Sequence, residues 1–259
     1  MKRITLICTV ILFASLSFAI GQVSATKSME IYLLMGQSNM AGRGPITEEQ
    51  KNEGNDNVFV LNQDMKWVLA RHPLHFDKPS VAGVGPGLTF GIQMAKAHHG
   101  VKIGLVPCAV GGTPIEHWIP GAYDTATKTH PYDDAVARIK EAMKYGVVKG
   151  VIWHQGESNS SVDKASLYLQ QIAELISRIR DLVGNPNLPF VAGQIGEFHK
   201  NAEFFNAQIV KLPQTVKGTA VVTTESLAHK GDHLHFDGPS AQELGRRYAN
   251  KFIALENNK

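Results

Sequence analysis

The chain has 259 residues, with 26 basic and 23 acidic side chains, a formal net charge of +3 and 43% hydrophobic residues. Such near-balance lacks the basic excess with which proteins hold nucleic acid or acidic membrane surfaces as main partners, while the length suffices for one sizeable core.

In chain order, Lys2 and Arg3 precede the apolar run ITLICTVILFASLSFAI, and Val23-Ser24-Ala25 follows. This reads as a secretory signal over residues 1–25, because the apolar stretch is short for a membrane anchor and ends in small residues suited to cleavage. A secreted or periplasmic protein without stable membrane association after cleavage is expected. Residues 26–259 then carry a formal charge of +1 and one cysteine, Cys108, so they form no intramolecular disulfide. No repeat, low-complexity tract or Pro/Ser-rich linker divides them, and they read as one domain.

Five short apolar runs without alternation predict buried strands: 31–35, 102–107, 150–154, 188–194 and 219–224. Helical spacing lies between them. Pro86 opens a helix carrying Leu88, Ile92 and Ala95; Asp133 to Tyr145 predicts a second, with Gly146 as its stop. Leu167, Leu175, Ile179 and Leu182 stripe a long third over 163–183, and Leu244, Tyr248 and Phe252 stripe the last. Strands alternating with helices predict an α/β protein, a three-layer α/β/α sandwich with a mainly parallel sheet of about five strands and right-handed crossovers.

In such sheets, sites form beyond the carboxyl ends of the strands. Ser38 stands there, in MGQSNMAGRG just after the first run, with Gly36 and Ala41 as small residues that allow a bend. A serine hydroxyl needs a base, and the base needs an orienting group. GDHLHFDGPS supplies both, because Asp232 and His235 are three residues apart and can meet on one turn. The lipase-type G-x-S-x-G elbow is absent. Donors for a developing oxyanion are sought in Gly111 and Gly112, directly after the second run, and in the amides of Gln155 or Asn159 in WHQGESN. Arg43, Trp118 and His154, with His117 and Trp153, are candidates for contacts to a substrate. His229, His233, His235 and Asp237 have a spacing that could hold a metal, but no metal site is expected.

GQSNMAGRG, PCAVGGTPIEHW, WHQGES and DHLHF together resemble the SGNH hydrolase superfamily, specifically its sialate O-acetylesterase-like branch, close to bacterial and plant carbohydrate acetylesterases. The resemblance spans residues from about 30 to 250. It implies Ser38 as nucleophile and first oxyanion donor, Gly112 as the next donor, His235 as general base and Asp232 as its acid partner. Gly156-Glu157-Ser158-Asn159 departs from the superfamily's G-x-N-D, so the third donor falls to Gln155 ahead of Asn159, and Glu157 is an alternative acid for His235. The implied protein is a secreted serine esterase that removes O-acetyl groups from carbohydrate through an acetyl-enzyme, without cofactor. Acetylated xylan and O-acetylated sialic acid compete as substrates. Two rivals stand beside it: a non-catalytic carbohydrate-binding protein on the same scaffold, and a general short-chain esterase. Oligomeric state is not legible.

Overall fold

The computed structural model describes residues 29–257; the expected signal segment lies outside them. Fifteen helices and strands follow in order: β1 Met29–Gly36, α1 Ser38–Ala41, α2 Glu48–Lys51, β2 Val58–Leu61, β3 Trp67–Leu69, α3 Pro86–Ala97, β4 Lys102–Pro107, α4 Pro131–Ala142, β5 Gly146–His154, α5 Val162–Val183, β6 Phe190–Gly193, α6 Ala202–Ile209, α7 Leu212–Thr215, β7 Thr219–Val222 and α8 Gly238–Asn257. The strands form one sheet in the order β3-β2-β4-β1-β5-β6-β7. Every pairing is parallel except the β2–β3 hairpin at one edge.

The α/β architecture is as the sequence predicts, and the sheet is two strands wider. β2 and β3 escape the sequence reading because each has only three or four residues, β3 is largely exposed, and the turn Asn62-Gln63-Asp64-Met65 lacks an Asn-Gly or Asp-Gly signal. Met65 itself supplies the positive φ, 58°. The second predicted helix is shifted: α4 starts at Pro131, where a proline's missing N–H costs nothing, and Gly146 is the first residue of β5 instead of a helix stop.

Apolar residues on both faces of the sheet explain the three layers. From β1, Ile31, Leu33 and Met35 enter a core shared with α4, α5 and α6, while Tyr32 and Leu34 enter the opposite core with α3 and α8. In the second core the Tyr32 ring meets Phe90 and Phe252 edge-on, each at 5.2 Å. Of the predicted stripe on α5, Leu175 and Ile179 are buried, whereas Leu167 is 57% exposed.

At the carboxyl edge, β1 and β5 come very close. Gly36 has φ +129°, and a Cβ placed there would lie 2.1 Å from the His154 carbonyl oxygen. Only glycine permits that approach. Gly36→Ala is therefore expected to lower the unfolding free energy by roughly 3 kcal/mol through strain and forced separation of the strands. Gly100→Ala, at φ +78° with open space around it, should cost about 1 kcal/mol. Urea denaturation of the two variants checks the difference.

Candidate active site

The chain leaves β1 at Gly36, and the Gln37 N–H donates to the His154 carbonyl oxygen at 2.9 Å, tying the ends of β1 and β5 together. The single turn α1 then begins with Ser38. As the first helical residue, Ser38 has an N–H that no intrahelical carbonyl can take, and it has no partner among the described residues.

Ser38 Oγ lies 3.0 Å from His235 Nε2, and His235 Nδ1 lies 2.7 Å from Asp232 Oδ2. The carboxylate accepts, so Nδ1 carries the proton and Nε2 is left to accept from the serine. Asp232 also holds its loop, with Oδ1 accepting from the N–H groups of Leu234 at 3.0 Å and His235 at 2.8 Å. Burial works against the Asp232 anion, but those N–H groups and the imidazole outweigh it and hold its carboxyl well below the usual range. His235 is lowered from its ordinary value mainly by burial; Asp232 opposes this, while Lys230 and Arg43 reinforce it. The imidazole is thus neutral at neutral pH.

The three residues open into a cavity of about 370 Å³, whose wall includes Gln37, Lys78, Gly112 and Lys230. Gly112 takes φ +93°, and its N–H has no partner among the described residues. The neighbouring Gly111 N–H is occupied by Asp77 Oδ2 at 2.8 Å. Arg43 forms the floor: one end donates to the Gly42 carbonyl oxygen at 2.7 Å and the other pairs with Asp77 at 2.5 Å. A side chain on Gly111 would strike that guanidinium, since its Cβ would lie 2.5 Å from Arg43 Nη2.

The remaining candidates are distributed differently from expectation. Trp118 is fully buried, its ring packed edge-on against Trp153 at 5.0 Å, so neither tryptophan offers a face to a ligand. His117 pairs with Asp124 at 2.7 Å and takes no part in the cavity wall. His154 is fully buried behind the site, with Nδ1 3.0 Å from the Tyr248 hydroxyl. Burial pushes its pKa down to about 3. Gln155 and Asn159 are fully buried as well. The Gln155 amide donates to Asn159 Oδ1 at 2.6 Å and Gln37 Oε1 at 3.2 Å, and the Asn159 amide donates to Glu116 Oε2 at 2.8 Å. Both therefore brace the wall from behind instead of presenting an N–H to the cavity.

Glu157 is not hydrogen-bonded to His235, whose partner is Asp232. It accepts from the Asn39 side-chain amide and borders the cavity with a side chain that is 3% exposed. Among the described residues no three His, Cys, Asp or Glu side chains are grouped to hold a metal. His229 and His233 stack at 4.0 Å, and His229 Nδ1 accepts from the N–H groups of Gly231 and His233, shaping the loop that delivers His235. The sequence reading passed over Asn39, Asp77, Lys78 and Lys230. Only Asn39 had a usable signal, its place beside Ser38.

Residues 28–254 match the family model described as carbohydrate esterase, sialic acid-specific acetylesterase. The chain is 30% identical over 244 residues to a probable carbohydrate esterase of Arabidopsis thaliana, covering 87% of this chain and 90% of that protein. The crystal structure of the Arabidopsis protein superposes with a TM-score of 0.76 over 87% of this chain and 98% of its own. NanS superposes at 0.70 with 14% identity, over 90% of this chain and 99% of its own. A carbohydrate acetylesterase of Xanthomonas citri superposes at 0.70 with 21% identity, over 89% of this chain and 57% of its own. At these two identities the likeness is one of fold.

The charges around His235 give a prediction for its titration. Followed by NMR, its pKa should lie below 6.5 and rise in Lys230→Ala, which removes a cation that disfavours the imidazolium. It should fall further in Asp232→Asn, which removes the group that favours it.

Proposed function

We infer the function from one premise, that the chain belongs to the carbohydrate esterase family of sialic acid-specific acetylesterases. Carbohydrate acetylesterase activity follows from that membership. The finer reading is a secreted serine esterase, with residues 26–259 as its catalytic domain. The observation that carries it is the continuous chain of hydrogen bonds from Ser38 through His235 to Asp232, at a cavity lined by Ser38 and Gly112, whose backbone N–H groups have no partner among the described residues.

In the proposed reaction Ser38 Oγ attacks the acetyl carbonyl carbon while His235 Nε2 takes its proton. The ionised Asp232 stabilises the resulting imidazolium without taking a proton itself. The oxyanion is held by the N–H groups of Ser38 and Gly112, which cost little reorganisation because glycine geometry and a helix start already fix them. The bond to the sugar oxygen then breaks, and that oxygen leaves with the proton from His235. Water attacks the acetyl-serine next, giving its proton to His235; acetate departs and Ser38 recovers the proton.

Lys78 supports an acidic sugar over a neutral one. It stands beside Gly112, with Nζ 3.9 Å from where a Cβ on that glycine would sit, and it makes no ion pair among the described residues. Arg43, in contrast, is already neutralised by Asp77. O-acetylated sialic acid is therefore the preferred substrate and acetylated xylan the second. The intact serine, histidine and aspartate weigh against a binding protein.

Acetate release from O-acetylated sialic acid and from acetylated xylan oligosaccharides tests this, with the expected order sialic acid first. Ser38→Ala should reduce release by at least about 10³-fold. Sugar binding without release would establish the binding-protein reading, and faster turnover of longer acyl chains would establish the general esterase. Lys78→Ala should raise KM for the acidic sugar about 5-fold, the order of one exposed ion pair, and leave KM for a neutral aryl acetate unchanged.

A further inference from the structure

Behind Ser38 and His235 lies a second carboxyl group to which the proposed reaction gives no part. Glu157 follows Gln155-Gly156 after β5, borders the same cavity with a side chain that is 3% exposed, and among the described residues has no cation within ion-pairing distance except the imidazole of His154. That imidazole does not serve as one. The Tyr248 hydroxyl donates its only proton to the Trp153 carbonyl oxygen at 2.7 Å, so His154 Nδ1 must be the donor in its 3.0 Å contact with that hydroxyl. His154 Nε2 then carries a lone pair and faces Glu157 Oε1 at 3.7 Å. A carboxylate there would be a buried anion opposite a lone pair. Burial also pushes the Glu157 carboxyl above its ordinary value, against the Asn39 amide that favours the anion.

The group that Glu157 does hold is Asn39, the residue after Ser38. The Asn39 amide donates to Glu157 Oε1 and to the Leu234 carbonyl oxygen, the latter at 3.0 Å, while its own oxygen accepts from the Phe236 N–H at 3.1 Å. Leu234 and Phe236 flank His235. One side chain on the nucleophile's turn therefore grips both sides of the base, and Glu157 fixes that side chain from the end of β5. The Phe236 ring continues the support, packed edge-on at 5.6 Å against the His154 ring.

We propose that Glu157 is a positioning residue which, as a neutral acid, orients Asn39 and through it holds His235 at hydrogen-bonding distance from Ser38. This rests on the serine-esterase reading above for its effect on turnover, but not for its effect on geometry. A misplacement of the base of about 1 Å costs on the order of 10²-fold in rate. Glu157 borders the cavity, but its side chain is 3% exposed and its hydrogen bond runs to Asn39, which acts on the base and not on the substrate, so the loss falls on kcat.

The test compares Glu157→Ala, Glu157→Gln, Asn39→Ala and the double alanine variant, each first shown to be folded by its thermal melting. With aryl acetate, Glu157→Ala should lower kcat by on the order of 10²-fold at unchanged KM. Glu157→Gln keeps an oxygen for Asn39 and carries no charge, and it should stay within about threefold of wild type. The double variant should lose no more than Asn39→Ala alone, because the two act as one unit. A Glu157→Gln loss as large as that of Glu157→Ala would overturn the proposal by showing that the anion matters. Additive losses in the double variant would also overturn it.

Labelling by a fluorophosphonate probe and the downfield proton signal of the His235 Nδ1–H bond separate this inference from the esterase reading. An unlabelled wild type sinks the esterase reading alone. The proton signal then decides: displacement in Glu157→Ala with recovery in Glu157→Gln supports the positioning role, and an unmoved signal refutes it.

Discussion

The close approach of β1 to β5 at Gly36 sets the direction in which the chain leaves the sheet, and the position of Ser38 follows from it. A side chain at Gly36 would occupy the space of the His154 carbonyl oxygen. Because glycine leaves that oxygen unobstructed, the Gln37 N–H donates to it and the turn of α1 starts at once. Ser38 then lines the cavity with its hydroxyl within reach of His235. The serine's exposure to His235 thus depends on a contact between two strands in the middle of the sheet, on elements separate in sequence from the loop that carries the histidine.

Two carboxyl groups stand near this point in opposite conditions. Asp232 lies at the surface end of its loop and is surrounded by donors, so burial is outweighed and the anion is favoured. Glu157 is deep, has one amide donor, and faces the lone pair of a neutral histidine, so the acid is favoured. Splitting two carboxyls by environment is the usual way a protein gives them different tasks. Here the ionised group holds the imidazole, and the buried one holds the Asn39 amide that grips the imidazole's loop.

The wall behind the cavity is built from polar side chains that satisfy one another. Tyr168 donates to Gln155 Oε1 at 2.6 Å, Gln155 donates to Asn159 and Gln37, and Asn159 accepts from the Ile115 N–H at 3.0 Å. A buried network of this kind is costly when partly satisfied and rigid when complete. Completion leaves these amides committed within the wall, whereas the backbone N–H groups of Ser38 and Gly112 have no partner among the described residues.

From the sequence alone the α/β class, the core of the sheet and the grouping of Ser38, Asp232 and His235 into one candidate site were legible. Buried parallel strands must be apolar on both faces, as IYLLM is, and the polar cluster around Ser38 could not belong to such a strand. The three-residue spacing of Asp232 and His235 is local geometry, fixed within one turn, and it survived folding unchanged. What the tertiary structure decided were contacts across distant segments. Whether Gln155 faces the cavity or its back wall, whether Glu157 or Asp232 meets His235, and whether Trp118 is a platform or core depend on how β5 and α5 pack against loops far away in the chain. A sequence records the chemistry of each side chain, but the direction a side chain takes is set by partners that only folding brings near it.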